Sequence, residues 1–220
     1  MKVINLSQQN SVLNQYLAEL RDENVQTDRA RFRNNLARIG QVMAYEVSRT
    51  LSYSPKRIHT PLDIIEVETC DNDIILGTIF RAGLPFYQGF LDVFDKAGNA
   101  FVSAYRYYKD KECKDVGIKI EYLASPKLTG KTLIIADPML ATGGSMELSY
   151  EAFCTNGIPS TVHLCCVIAS KKGVDYIKKA FRGYKNVTLW CGAIDPELND
   201  HSYIVPGLGD AGDLAYGEKL

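Results

Sequence analysis

Four runs of apolar and β-branched residues, separated by segments with helical periodicity, constrain the fold of this chain more than any other feature. The runs are Ile74–Phe80, Lys131–Asp137, Thr161–Ala169 and Val187–Gly192. Strands that read as continuous apolar runs are typical of parallel sheets buried on both faces. Helical patterns lie between them, from Pro85 to Phe94, from Gly144 to Gly157 and from Val174 to Phe181. The alternation predicts an α/β fold in which helices cover both faces of a mostly parallel sheet.

The two ends of the chain lack this alternation. The apolar spacing from Val12 to Leu20 predicts a short amphipathic helix, and a longer helix begins after Asp28, whose side chain can cap it. Apolar residues recur every three or four positions in the second helix as far as Leu51. From Asp195 onward the periodicity is lost. Since no repeat or linker separates these ends from the centre, we expect one domain.

Composition excludes several functional classes. The 220 residues include 25 basic and 26 acidic ones, so the net charge of −1 argues against a nucleic-acid partner. No apolar run approaches the ~18 residues of a membrane-spanning helix, and the N-terminus lacks a signal pattern. The six cysteines lack zinc-ligand spacing, so we expect reduced thiols and no metal site built by the protein. These observations predict a cytoplasmic protein without a membrane partner.

The segment from Asp137 to Ser145 carries the clearest chemistry. A buried strand should deliver Asp137 to the carboxyl edge of the sheet, where open α/β sheets place their ligands. Thr142-Gly143-Gly144-Ser145 then turns into a helix, and its backbone N–H groups, hydroxyls and helix dipole suit a phosphate. Because a carboxylate repels phosphate, we expect Asp137 to bind hydroxyls or a metal-bound group nearby instead. Together these features indicate that the segment binds a ribose 5-phosphate. The alternative is that the segment has no ligand and is simply a strand, a turn and a helix capped by a serine.

Four blocks of the sequence resemble one family. Asp137-Pro-Met-Leu-Ala-Thr-Gly-Gly-Ser145 resembles the phosphoribosyl-diphosphate (PRPP) motif of type I phosphoribosyltransferases, in the form found in uracil phosphoribosyltransferases. Ile79-Phe-Arg-Ala-Gly-Leu-Pro85 is similar to the family's pyrophosphate loop, and Ala104-Tyr-Arg106 to the start of its mobile loop. Tyr203 to Asp213 resembles its uracil-binding signature, although the family's Gly-Asp-basic-x-Phe-Gly-Thr continuation is replaced beyond Asp213.

The resemblance implies a role for each of these positions. PRPP would be bound by Arg81, Arg106, Asp137, Pro138, Met139, Leu140, Ala141, Thr142, Gly143, Gly144, Ser145 and Asp210. Asp137 would face the ribose hydroxyls, residues 141–145 would hold the 5-phosphate, and the two arginines would contact pyrophosphate. The catalytic residues would be Asp137, Arg106 and Asp210. Uracil would be bound by Ile204, Gly209, Asp210 and Ala211.

The resemblance also implies a reaction and an architecture. Uracil and PRPP would give UMP and diphosphate, with Mg²⁺ held mainly by PRPP and water, GTP as a candidate effector, and a homo-oligomer as the assembly. The fold would be a single type I phosphoribosyltransferase-like domain over residues 1–220. It would comprise an N-terminal helical arm to about residue 60, a core to about residue 194 and a small C-terminal hood.

Two alternatives remain beside the enzyme. One is an RNA-binding regulator on the same fold, which the absence of a basic excess disfavours. The other is a non-catalytic homologue, which the joint presence of Asp137, Arg81, Arg106 and Asp210 disfavours.

Overall fold

The computed structural model describes residues 1–108 and 116–218, and it describes their side chains except at 104–119. Eight strands of the described residues form a central sheet. Including the four strands outside that sheet, the strands of the described residues are β1 (Lys2–Asn5), β2 (Tyr53–His59), β3 (Ile64–Cys70), β4 (Ile74–Phe80), β5 (Gly98–Tyr108), β6 (Val116–Ala124), β7 (Thr132–Ala136), β8 (Met139–Leu140), β9 (Thr161–Ser170), β10 (Val187–Asp195), β11 (Glu197–Leu198) and β12 (Ile204–Val205). The helices are α1 (Val12–Arg21), α2 (Arg29–Ser48), α3 (Gly83–Val93), α4 (Gly144–Cys154), α5 (Lys171–Ala180) and α6 (Ala211–Tyr216).

The strand order of the central sheet is β1-β10-β9-β7-β4-β5-β6, and β8 pairs with β9 beyond the end of β7. Every pair is parallel except β5 with β6, which is antiparallel. The predicted mostly parallel sheet is therefore confirmed. Strand β1, which the sequence pattern did not indicate, lies at one edge, and the antiparallel β6 lies at the other.

Successive residues of the central strands belong to two different apolar clusters. Ile134 packs with α1, α2 and α3, whereas its neighbour Ile135 packs with α4 and α5. Because side chains alternate between the faces of a strand, the two clusters are the two faces of the sheet. Both faces are covered by helices, which explains why these strands read as unbroken apolar runs.

The helix starts follow the chemistry of their first residues. The Asp28 side chain accepts hydrogen bonds from the N–H groups of Ala30 and Arg31 at 2.9 and 3.0 Å, which confirms the predicted cap of α2. The predicted start of the fifth helix at Val174 is wrong by three residues. Ser170 caps it instead, because its side chain accepts a hydrogen bond from the N–H of Gly173, and the helix begins at Lys171.

The C-terminal segment forms short elements that periodicity could not indicate. The two-residue strands β11 and β12 pair antiparallel, and helix α6 follows them. Ile204, Leu208, Ala211 and Ala215 are buried in the same apolar cluster as the inner faces of α1 and α2. The hood therefore packs against the N-terminal helices.

Strands β2 and β3 form an antiparallel hairpin that was not predicted. Nearly every residue of the hairpin is exposed, including the large apolar side chains of Ile58, Ile64, Ile65 and Val67. The expected border of the arm near residue 60 lies in the turn of this hairpin.

Within the described part of the chain, no helix combines the length and apolar character needed to cross a membrane.

Candidate active site

The parallel strands bring the predicted site residues to one edge of the sheet. Arg81 directly follows β4, and Asp137 directly follows the adjacent strand β7. Strands β5, β9 and β10 run in the same direction, so their carboxyl ends lie at this edge as well. The arrangement is the one in which open α/β sheets bind ligands.

The segment that follows β7 is fixed to β9 through its backbone. The N–H of Asp137 donates to the carbonyl of Cys165 at 3.1 Å, and the carbonyl of Pro138 accepts from the N–H groups of Val167 and Ile168, both at 3.0 Å. The Asp137 residue is 9% exposed. A carboxylate held at this depth can bind a ligand only from the sheet edge, with little freedom to turn away.

The turn from Thr142 to Ser145 delivers the first residues of α4. Gly143 has φ +91°, and a Cβ there would lie 2.7 Å from the Tyr176 ring, so both its conformation and its surroundings require glycine. Met139–Gly143, Ser145 and Met146 line a small, shallow recess beside this turn. Its lining includes Ala141, Thr142, Gly143 and Ser145 of the predicted phosphate-binding residues, and it lies at the start of α4, where unpaired N–H groups favour an anion.

Two residues that the motif analysis missed hold this turn from behind. The Ser170 hydroxyl donates to the carbonyl of Ala141 at 2.6 Å and accepts from the N–H of Gly173 at 2.8 Å. A Cβ at Gly173 would crowd the carbonyls of Leu140 and Ala141. The available signal was a glycine in the first turn of a helix, where its low helix propensity requires a packing reason.

Arg81 joins the sheet edge to the hood. Its Nη2 lies 3.1 Å from Asp213 Oδ1 and 3.3 Å from the carbonyl oxygen of Gly217, and the peptide bond before it is cis. The Arg33 Nη1 donates to the carbonyl of Ala215 at 2.7 Å. Burial raises the pKa of the Tyr216 phenol, and Arg33 and Arg81 oppose that rise. The two arginines thus place positive charge where the sheet edge meets α6.

Arg106 lies on β5, where its backbone is paired in register with Ile118 of β6. Its side chain lies outside the described residues, so the pyrophosphate contact expected of it stays a prediction.

The predicted uracil-binding residues lie in the C-terminal segment around the start of α6. Ile204 is 4% exposed and Ala211 is 2% exposed, and both belong to the apolar cluster beneath the hood. Gly209 has φ +92°, a conformation that favours glycine. Since the side chains of Ile204, Gly209 and Ala211 carry no polar atoms, these three residues can hydrogen-bond a base only through backbone N–H and carbonyl groups.

Asp210 has a structural contact besides its predicted roles. Its Oδ1 accepts from the N–H groups of Gly212 and Asp213 at 2.8 and 3.0 Å, which caps α6. The cap fixes the Asp210 carboxylate at the start of α6. Asp213 of the same helix contacts Arg81.

Among the described residues, no group of three or more His, Cys, Asp or Glu side chains could hold a metal ion.

Comparisons with known proteins cover the whole of this architecture. A family model described as uracil phosphoribosyltransferase matches residues 7–218. Relatives named uracil phosphoribosyltransferase include one from Porphyromonas gingivalis, 54% identical over 220 residues with 100% of both chains covered. Another, from Pyrococcus furiosus, is 36% identical over 207 residues, or 93% of this chain and 85% of the relative. The solved AQ2163 protein from Aquifex aeolicus is similar over 99% of both chains, with a TM-score of 0.85 and 28% identity.

Proposed function

The chain belongs to the uracil phosphoribosyltransferase family, and on that premise we propose how its residues divide the reaction between them. The chain is a pentosyltransferase that converts uracil and PRPP to UMP and diphosphate, and its fold is that of type I phosphoribosyltransferases. The residue roles rest on one observation above all. Thr142, Gly143 and Ser145 line a small recess at the start of α4, shortly after a strand that is followed by the buried residue Asp137.

In this proposal, residues 141–145 hold the 5-phosphate of PRPP. The N-terminal N–H groups of α4 and the hydroxyls of Thr142 and Ser145 supply donors, and the helix dipole favours the negative charge. Met139 and Leu140 line the recess beside this turn, and the Pro138 carbonyl, which precedes them, accepts from the N–H groups of Val167 and Ile168. Asp137 binds the ribose hydroxyls, since hydroxyl groups can donate to a carboxylate whereas phosphate repels it.

Arg81 and Arg106 bind the diphosphate end of PRPP. Displacement at the anomeric carbon develops positive charge on the ribose and releases a highly charged leaving group. Fixed cations lower the barrier for that departure, and the carboxylates of Asp137 and Asp210 oppose the charge that develops on the sugar. When bound, Mg²⁺ neutralises diphosphate charge. We propose that the ion is held mainly by PRPP oxygens and water, because Mg²⁺ keeps several waters and binds substrate phosphates.

Uracil is bound by the main chain at Ile204 and Gly209–Ala211. The base offers two carbonyl acceptors and an N3–H donor, and a rigid backbone segment can pair with all three. The apolar character and burial of the Ile204 and Ala211 side chains support this proposal, because these side chains have no polar atom with which to bind a base.

The broader organisation extends the same proposal. One domain comprises the arm, the core and the hood, and it functions in the cytoplasm, where PRPP and reduced thiols such as those of Cys165 and Cys191 occur. The exposed apolar side chains of the β2–β3 hairpin support self-association with a second copy, because a lone hairpin is at best marginally stable in water. Sedimentation of hairpin variants tests the assembly, and turnover with and without GTP tests the effector.

The roles are tested by UMP formation from uracil, PRPP and Mg²⁺. Asp137→Asn should lower turnover by about 100-fold or more, since it weakens the interaction with charge developing on the ribose. Asp175→Asn, an equal charge change on the exposed side of α5, serves as the control and should keep normal turnover. Equal activity of the two variants would contradict the role of Asp137.

A further inference from the structure

One ion pair between distant parts of the chain binds both the backbone N–H and the backbone carbonyl of Gly207. Arg21, the last residue of α1, donates from Nη1 and Nη2 to Asp195 Oδ2 and Oδ1 at 2.8 and 2.7 Å. The same Nη1 donates to the carbonyl oxygen of Gly207 at 3.0 Å. The N–H of Gly207 donates to Asp195 Oδ2 at 2.9 Å. Four hydrogen bonds thus connect α1, the end of β10 and the hood.

Gly207 lies at the bend that separates the two parts of the uracil-binding segment. Ile204 precedes it and Gly209–Ala211 follow it. Its φ is +60°, and a Cβ there would overlap the carbonyl oxygen of Ile204. Because the bend directs the peptide groups on either side, its orientation determines where the base-reading N–H and carbonyl groups lie.

The chemistry of the pair suits orientation more than stability. A forked guanidinium–carboxylate contact fixes both groups in one plane. The Asp195 side chain is 7% exposed and that of Arg21 is 25% exposed, so both groups lose most of their hydration. Buried pairs of this kind add little net stability over an apolar replacement, whereas the fork constrains the geometry of the groups that it joins.

The position of Asp195 relates the two substrate segments. Asp195 is in register with Ser170 on the adjacent strand β9. Ser170 holds the carbonyl of Ala141 in the phosphate turn, and Asp195 holds the N–H of Gly207 in the hood. Neighbouring residues at one sheet edge therefore each fix one of the two substrate-binding segments.

We propose that Arg21 and Asp195 are positioning residues for the nucleobase, acting through the peptide groups of Gly207. Neither residue needs to contact uracil. The inference rests on the proposed binding of uracil by residues 204–211, and it adds that α1 determines the geometry of that segment.

The test measures the Michaelis constants of both substrates in folded variants. Arg21→Met removes the three donated hydrogen bonds and keeps the apolar stem, and it should raise the KM for uracil by about 10-fold to 100-fold because a displaced segment loses aligned contacts. The KM for PRPP should rise much less than the KM for uracil, since the phosphate turn keeps its own anchors and only Asp210 of the displaced segment has a proposed role toward PRPP. Arg21→Lys should restore part of the loss, because it returns charge but not the fork.

Two further variants separate positioning from general stability. Arg31→Met breaks a comparable forked pair with Glu19, at 2.9 Å for both contacts, between α1 and α2. It should leave both KM values unchanged. The double variant Arg21→Met/Asp195→Leu leaves no buried charge unpaired, so it should fold while showing the same rise in the KM for uracil. Amide exchange in residues 204–211 should accelerate in both Arg21→Met variants but not in Arg31→Met.

An unchanged KM for uracil in folded Arg21→Met and in the double variant would overturn the proposal. A similar loss for both substrates, matched by Arg31→Met, would also overturn it, since that pattern indicates a merely structural role. Failure of the proposed function is distinguishable, because the unaltered chain would then fail to form UMP at all.

Discussion

The phosphate turn and the hood are built in contrasting ways. The turn is a contiguous segment, from Asp137 to Ser145, between a buried strand and the helix that follows it. Its anchors lie on the neighbouring elements β9 and α5. The hood is held by residues far away in sequence, such as Arg21, which lies 186 positions from Gly207. The proposed phosphate site is therefore a local structure, whereas the proposed base site is held by contacts between the two ends of the chain.

The difference has a functional consequence. Substitutions in the distant segment that is proposed to bind the base can leave the proposed PRPP-binding turn unaltered. We therefore expect variants of the turn to affect PRPP, and variants of the hood and its anchors to affect the base.

The largest expected effect is the exclusion of cytosine by the hood. Cytosine presents a donor where uracil has O4 and an acceptor where uracil has N3–H, so two buried groups would face mismatched partners. At about 1–3 kcal/mol for each unpaired group, cytosine should react roughly 10³-fold to 10⁴-fold less efficiently. Ile204→Val should preserve that ratio, because the Ile204 side chain is buried away from the base.

Competition assays with both bases measure this ratio, and Ala211→Leu provides the opposite case. Ala211 is 2% exposed in the apolar cluster beneath the hood, so a larger side chain should overpack that cluster, displace the segment and impair uracil binding. Efficient use of cytosine by Ile204→Val, or normal uracil binding by Ala211→Leu, would contradict main-chain recognition.

A comparably large effect should follow from changing the phosphate turn. Gly144→Val places a branched side chain at the first residue of α4, where the phosphate needs close approach to backbone N–H groups. PRPP affinity should fall by about 10²-fold to 10³-fold, with the fold intact. Calorimetric titration measures the change. Glu151→Val, on the exposed side of the same helix, is the control, and equal PRPP affinity in the two variants would refute the assignment.

A third prediction concerns the sheet that supports both regions. Burial lowers the pKa of His163 from its ordinary value of 6.5 to about 4, and its Nδ1 accepts from Trp190 Nε1 at 3.1 Å. Between pH 4 and pH 6.5, His163 is therefore protonated more in the unfolded chain than in the folded one. Stability present above pH 6.5 should be lost as the pH falls to about 4, by up to about 3 kcal/mol.

Urea unfolding at several pH values measures this loss in the wild type and in His163→Gln. The variant keeps an acceptor for Trp190 but has no titrating ring, so its stability should fall less steeply with acidification. Parallel pH curves for the two proteins would show that His163 does not make this contribution.

A fourth effect is expected at the predicted mobile loop. Arg106→Ala should lower kcat by about 100-fold while changing the KM for uracil little, because a cation that meets the leaving diphosphate acts mainly in the transition state. Steady-state kinetics with both substrates varied separate the two parameters. A change confined to the KM for uracil would assign Arg106 to the base instead.

The smallest effect should come from the ion pair that joins the sheet edge after β4 to the hood. Arg81 and Asp213 have side chains that are 40% and 33% exposed, and solvent screens such pairs strongly. Asp213→Asn should therefore lower the free energy of unfolding by less than about 1 kcal/mol, as measured by denaturant titration. A loss well above that value would mean that the hood depends on this pair rather than on its apolar packing and the Arg21–Asp195 contact.

The contrast between the regions also explains what the sequence could and could not predict. Strands β4, β7 and β9 were predicted because burial on both faces leaves a continuous apolar run. The turn at Gly143 was predicted because its motif is contiguous. Ser170 and Asp195 were missed, since a polar residue at a strand end has no local signature and its partners lie on other elements. Strands β11 and β12 have two residues each, which is too short for any periodicity.

The most direct test of this division is a side-by-side kinetic comparison of Gly144→Val and Arg21→Met, with uracil and PRPP each varied. The account predicts a crossed pattern. Gly144→Val should lose affinity for PRPP and keep its response to uracil at saturating PRPP, whereas Arg21→Met should show the reverse. Equal impairment toward both substrates in both variants would contradict the separation of a local phosphate site from a base site assembled at long range.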